Sequence, residues 1–348
     1  MIAVTLIGKS NGVGLSRDLR LLADTLEQCG CSVQVHAAQR RDGRQRRSLA
    51  VQTLARARAW LRGRRAPRTA ASVTAAATTA SPTPLHVNLM LEHVWPQFLH
   101  TADLNIAVPN PEWFDRRDQR LLSALDGVWA KTRHTQAVFS QLGCRTAFIG
   151  FDSEDRYEAN TARERTFFHL AGKSQMKGTE HLLRVWQRHP EWPMLIVLYH
   201  VAEGRQGAGR EVPAAANIRW HRDYLPDAEL RALQNRSRFH LCLSEAEGWG
   251  HYLVEALSTS AVTLTLDAAP MNELVQPERG VLVGCARQGR QHLADTFGFD
   301  DRALEQAVHG ALALDELQLT RIGAAARAWF LDNRHGFAGR IGQALARL

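Results

Sequence analysis

The chain has 348 residues, 45% of them hydrophobic and 22% charged, with a formal net charge of +8. That is the composition of a soluble globular protein long enough to bury two cores, and no apolar run reaches the roughly 18 residues of a membrane span. The opening "MIAVTLIGKSNG" is unlike a signal peptide, because its apolar run is short and no basic stretch precedes it.

The cysteines stand at 29, 31, 144, 242 and 285 with no C-x-x-C pair, which predicts reduced thiols in the cytoplasm and argues against a structural zinc site. The basicity is local. Arg40 to Arg68 holds eleven arginines and a single acid, Asp42, for a net +10, leaving −2 for everything else.

In chain order, "IAVTLIG" predicts a strand, "KSNGVG" a glycine loop, and Ser16 to Gln28 a helix. "CSVQVHA" predicts a second strand. The arginine segment follows, and then "TAASVTAAATTASPTP", an Ala/Thr/Ser/Pro run without periodicity that reads as a loop. "LHVNLML", "LNIAVP", "GVWAKT" and "RTAFIG" supply four more short strands. This alternation predicts a doubly wound parallel sheet.

A second series begins at "TFFHLAG" and continues with a helix Thr179 to Gln187, strands "MLIVLY" and "NIRWH", and a helix Pro226 to Asn235. It ends in strand "SRFHLCL", loop "SEAEGWG", helix "HYLVEALSTS" and strand "AVTLTL", with a helical tail expected from Leu293 onward. We therefore expect an α/β protein of two Rossmann-like domains. Residues 1–155 would form the first, with a basic, low-complexity insertion at about 37–84; residues 156–348 would form the second, with final helices that pack back on the first domain.

Two carboxylates frame the second series. Glu247 lies in a loop at the carboxyl end of a strand, where open α/β sheets bind ligands, and Glu255 lies inside the helix that follows. In this order "LAGKSQMKGTEHLLRVW" and "SEAEGWGHYLVEAL" resemble retaining glycosyltransferases of family four, whose E-x7-E motif Glu247 and Glu255 match. "GKSNGVGLSRDLRLL" resembles the N-terminal glycine-rich loop of that family. The resemblance is strongest from about Phe167 to Val283.

It implies a GT-B fold, two doubly wound domains facing across a cleft lined by Gly14, Lys177, Glu247 and Glu255. It also implies a nucleotide-sugar donor, retention of anomeric configuration, and chemistry with no metal or other cofactor. Glu247 would meet sugar hydroxyls near the reacting carbon, and Glu255 the ribose hydroxyls. Lys173 and Lys177 would meet the diphosphate; the family has Arg at the first of these positions, and Lys loses the bidentate geometry. Gly12 and Gly14 would let backbone approach the donor, or form a plain tight turn. Gly248, Trp249, Gly250 and His251 make the donor loop, and Arg222 and Tyr224 align with residues that contact the base.

On the acceptor side, "LMLEHVWPQF" and "PNPEWF" are not general family motifs, and Glu92, His93, Asn110, Glu112 and Trp113 are the candidates there. His93 is also a catalytic candidate. The arginine segment suits an anionic membrane surface at the inner face, a DNA backbone, or neither, as a solvated loop. The leading reading is a glycosyltransferase acting on a glycan, glycolipid or other glycoconjugate. The alternatives are phage-type transfer to a modified DNA base, a GT-B epimerase, and a non-catalytic sugar-nucleotide or nucleic-acid binding protein.

Overall fold

The computed structural model describes residues 1–9, 14–38, 84–200 and 215–348. Gly12, Val13 and Arg40 to Arg68 lie outside the described residues.

Contacts divide the chain into two compact units, Met1–Gly150 with Phe337–Leu348, and Phe151–Gly336. The first is built on a six-stranded sheet of β1 (Ile2–Gly8), β2 (Ser32–Ala37), β3 (Leu85–Leu91), β4 (Leu104–Val108), β5 (Gly127–Ala130) and β6 (Thr146–Phe148), in the order β2-β1-β3-β4-β5-β6. All its neighbours are parallel. β1 leads to β2 on one side and the remaining strands lie on the other, so the strand order reverses between β1 and β3.

The helix Gly14–Gln28 buries Leu19, Leu22, Ala23 and Leu26, the stripe that a 3.6-residue period creates. Its end is set by Gly30 at φ +81: Cys31 N donates to Leu26 O and Gly30 N to Glu27 O, a Schellman motif that satisfies the last carbonyls. The helix Arg133–Gln141 ends the same way at Gly143, with Cys144 N bonded to Phe139 O.

The second unit repeats the plan with β7 (Glu164–Gly172), β8 (Leu195–Tyr199), β9 (Ile218–His221), β10 (Ser237–Cys242), β11 (Val262–Leu266) and β12 (Gly280–Val283). The order is β12-β11-β10-β7-β8-β9, again all parallel. β8 and β11 are buried along their whole length, as strands covered on both faces must be. Phe167 of β7 stacks on Phe239 of β10 at 4.6 Å and meets Trp186 of the helix Thr179–Gln187 edge-on. Here the chain runs from β7 out to β9 and returns on the other side with β10, so the reversal falls between β7 and β10.

One expectation fails. Leu293 does not begin a helix: Ala294–Gly298 is a strand, β14, antiparallel to β13 (Ala286–Gln291), and helix starts only at Asp301, capped by Asp300 accepting from Ala303 N at 2.7 Å. The hairpin is made by pairing between the two strands, with a diagonal contact from Arg287 to Asp295 at 2.8 Å, and neither strand carries a hydrophobic period of its own. The final helix, Glu316–Leu345, runs through both units, which exchange it at Gly336/Phe337. Among the described residues no helix is long and apolar enough to cross a membrane.

Candidate functional site

In a parallel sheet, loops leaving the carboxyl ends of adjacent strands diverge at the point of reversal and leave a crevice. In the second unit those loops are 173–178 after β7 and 243–250 after β10. They are tied to each other by Glu245 N donating to Met176 O at 2.9 Å, while Glu245 O accepts from Phe297 N of the hairpin. Gly178 ends the first loop at φ +63; a Cβ there would stand 2.8 Å from Phe299 Cε1, so glycine is required twice over. Gly250 closes the second loop at φ +83, directly before the helix His251–Ser258.

Beneath these loops lies His169 of β7. It is fully buried, with Nδ1 2.8 Å from Leu241 O and Nε2 2.8 Å from Thr179 Oγ1. Burial pushes its pKa down to about 4, helped by the charge of Lys177 and opposed by the bond to Leu241 O, so the imidazole is a neutral clamp.

Between the loops, Lys177 Nζ lies 3.3 Å from Glu247 Oε1. Ser244 Oγ donates to the same carboxylate oxygen at 2.6 Å and is 2.5 Å from Tyr252 OH. The ammonium also sits 3.1 Å from the centre of the Tyr252 ring, a cation–π contact. Burial holds the Tyr252 phenol far above its ordinary pKa, so it stays neutral and available as a donor. Both side chains of the ion pair keep about one-sixth of their surface exposed, 15% and 17%. The pair is thus fixed from below and open from above.

Glu255 is placed differently. It is 4% exposed, and Gln234 Nε2 reaches its Oε2 at 3.4 Å; Gln234 Oε1 in turn accepts from the buried Arg156 at 2.9 Å. Lys173 does not join Lys177 and Glu247. Its Nζ lies 5.3 Å from the centre of the Tyr224 ring. Tyr224, 61% exposed, stacks on His200 at 4.0 Å, and His200 Nδ1 bonds Arg222 O. Arg222 itself lies over Trp220. Lys173, Arg222 and Tyr224 therefore form an aromatic and basic shelf at the carboxyl ends of β7 to β9.

Trp249 is 4% exposed and turned inward, its Nε1 donating to Ser153 Oγ at 3.0 Å. His251 Nδ1 meets the same hydroxyl at 2.9 Å. Both rings pack edge-on against Phe151, so this part of the loop is a structural root. Gly248 is buried, and Gly14 begins its helix with nothing within 4 Å of where a Cβ would stand.

In the first unit the reversal lies between β1 and β3. Glu92 and His93 follow β3 there, with Glu92 Oε2 3.5 Å from His93 Nε2 and the ring Nδ1 2.8 Å from Asp118 Oδ2. Burial pushes the Glu92 carboxyl up, against the opposing pull of His93, Lys131 and Lys9. Lys131 is itself buried against Asp18 at 2.5 Å. Asn110 starts the 3-10 turn Pro111–Trp113 and its buried Oδ1 has no hydrogen-bond partner among the described residues; Glu112 is 5% exposed and Trp113 44%.

Sequence reading did not find Ser244, Tyr252, Gln234 or Asp118. Each acts by a contact across a turn or between elements, for which no local pattern exists. Among the described residues no group of three or more His, Cys, Asp or Glu side chains is arranged to hold a metal ion.

Two parallel Rossmann-like units in sequence define the GT-B fold, and solved structures share it across the full chain. No protein-family model and no curated protein matches the sequence. Sucrose-phosphate synthase from Thermosynechococcus elongatus superposes with a TM-score of 0.67 at 13% identity, over 100% of this chain and 99% of that one. Anabaena Alr3699/HepE, solved in complex with UDP and glucose, gives 0.67 at 14% identity over 100% of both chains. A glycosyltransferase from Rickettsia africae ESF-5 gives 0.63 at 10% identity, over 99% of this chain and 97% of that one.

Proposed function

We propose that the protein is a retaining glycosyltransferase that moves a sugar from a nucleotide-sugar donor to a glycan, glycolipid or other glycoconjugate. The observation that carries this reading is the Lys177–Glu247 pair at the reversal point of the second sheet, held by Ser244 and Tyr252 and open on one side. A nucleotide sugar leaves as a diphosphate, and catalysis needs donors aimed at the charge that develops on it. Lys177 supplies one, and the amino-terminal end of the helix His251–Ser258, behind Gly250, presents the positive end of its dipole.

Glu247 then faces the sugar hydroxyls and Glu255 the ribose. Tyr224 and Arg222 offer a face for the base, with Lys173 beside them. Retention follows a front-face displacement in which the leaving phosphate takes the acceptor proton, so no strong protein base is needed. Cations and backbone dipoles stand in for a metal. That the fold is shared with HepE, whose structure holds UDP and glucose, favours a nucleotide-sugar donor.

In the first unit Glu92, His93, Asn110, Glu112 and Trp113 serve the acceptor side. The +10 segment Arg40 to Arg68 supports a polyanionic partner, either an anionic membrane at the inner face or DNA. That charge is what favours transfer to a modified DNA base as the second reading. Salt-dependent binding to anionic vesicles but not to duplex DNA would decide for the membrane.

Thermal-shift screening of UDP-, GDP-, ADP- and CDP-sugars, then hydrolysis and transfer assays with proton NMR of the product anomer, tests the reading. We expect one nucleotide sugar to stabilise the protein and to yield product of unchanged anomeric configuration in the presence of EDTA. Stabilisation and turnover by none of them would overturn the enzyme; an inverted anomer would overturn retention.

A further inference from the structure

We infer that Asp118 is a positioning residue: it fixes the ring and tautomer of His93 so that Nε2 is the nitrogen offered to substrate hydroxyls at the carboxyl end of β3. The placement follows from the first unit's own geometry, and the nature of the substrate rests on the function proposed above.

The backbone sets up the pair. Glu92 stands at φ +61, and His93 N donates to Leu91 O at 2.7 Å, closing a three-residue γ-turn at the end of β3. A non-glycine residue in that region is strained and persists only where its surroundings over-determine it. Asp118 is the group that does so. Its side chain has no exposed surface; Oδ1 accepts from Val94 N at 2.8 Å while Oδ2 lies 2.8 Å from His93 Nδ1. One carboxylate therefore grips the last residue of the turn and the residue after it.

Asp118 is in turn held from outside the turn. It belongs to the short helix Arg116–Gln119, whose cap, Asp115, accepts from Asp118 N at 3.0 Å.

The chemistry follows from what each atom can do. A carboxylate oxygen only accepts, so His93 Nδ1 must carry the proton of that bond, and in the neutral ring Nε2 is then the basic nitrogen. Nε2 lies beside Glu92 Oε2, and the His93 side chain keeps 24% of its surface exposed against none for Asp118. The arrangement is a buried carboxylate behind an imidazole whose outer nitrogen lies beside Glu92, just past the carboxyl end of β3. Without Asp118 the ring could turn over or exchange tautomers, and both would present the wrong atom.

The test is Asp118→Asn in the full chain. Its amide can still accept from Val94 N but turns an N–H toward His93. In 15N-edited NMR we expect the His93 ring to change from the Nδ1–H to the Nε2–H tautomer. With UDP-glucose as probe we expect kcat to fall about tenfold to a hundredfold, as loss of a charge-assisted hydrogen bond implies, with UDP affinity unchanged.

His93→Phe separates positioning from support. If Asp118 acts through His93, Asp118→Asn on the His93→Phe background lowers kcat no further; independent losses that multiply would mean Asp118 only supports the turn through Val94, and the inference falls. It falls equally if the tautomer is the same in both proteins. Inactivity of the unaltered protein on UDP-glucose bears on the functional reading alone, because the tautomer measurement needs no substrate.

Discussion

Acid should loosen the second unit through His169, and the size of the effect can be worked out. The imidazole links β7 to β10 and to the helix behind loop 173–178, and burial lowers its pKa from the ordinary 6.5 to about 4. On acidification the unfolded chain therefore takes up the proton first. The contribution to stability is complete above pH 6.5, is lost as pH falls from 6.5 toward 4, and levels off below that. At about 1.4 kcal/mol per pH unit the full loss is roughly 3 kcal/mol, of which about 2 kcal/mol is expressed at pH 5.

His169→Asn keeps a donor near Leu241 O but gives Thr179 Oγ1 no acceptor, and should cost about 1–3 kcal/mol at pH 7.5. It also removes the titration. Urea unfolding at pH 7.5 and pH 5, followed by tryptophan fluorescence, should show the unaltered protein losing about 2 kcal/mol more than the variant between the two pH values. Equal losses would mean that His169 is not held neutral, and the account of the clamp would be wrong. His240 is a companion, fully buried with its Nε2 against Gln234 O and its pKa lowered to about 3, so it keeps the variant itself acid-sensitive.

Four further substitutions probe the loops. Gly178→Ala should destabilise by about 2 kcal/mol or more, read as a lowered urea midpoint, because φ +63 and the clash with Phe299 both oppose a Cβ; a neutral result would refute the assigned turn. Ser260 occupies the left-handed position at φ +61 that ends the helix His251–Ser258, where Gly30 and Gly143 end others, so Ser260→Gly should raise stability by up to about 1 kcal/mol. Lys177→Ala should weaken UDP binding in calorimetry about tenfold to a hundredfold, whereas Glu247→Gln, which frees the same ammonium, should leave UDP binding intact or tighter while lowering sugar transfer. The reverse pattern would exchange the two roles.

Eleven of the twelve strands of the two sheets were legible, each as a short β-prone run between turn residues, while β12 was not; burial on both faces made β8 continuously apolar. The helix Thr179–Gln187 was legible to the residue, since its apolar spacing has one period and a glycine precedes it. Local sequence thus determined that the chain is α/β and doubly wound, and placed Lys177 and Glu247 in loops at strand ends. The hairpin β13–β14 was missed because pairing between strands has no signature in either strand alone.

What only the tertiary structure decided is which polar atoms meet. Strand order puts β10 beside β7 although the whole of β8 and β9 separates them in sequence, and that adjacency brings Glu247 to Lys177. The same holds for Asp118 behind His93, and for Trp249, which reads as a donor-loop residue yet turns inward to Ser153. Hydrophobic period fixes where an element lies because burial acts on every residue of it. A hydrogen bond acts on two atoms, and only the packed chain brings those atoms within reach.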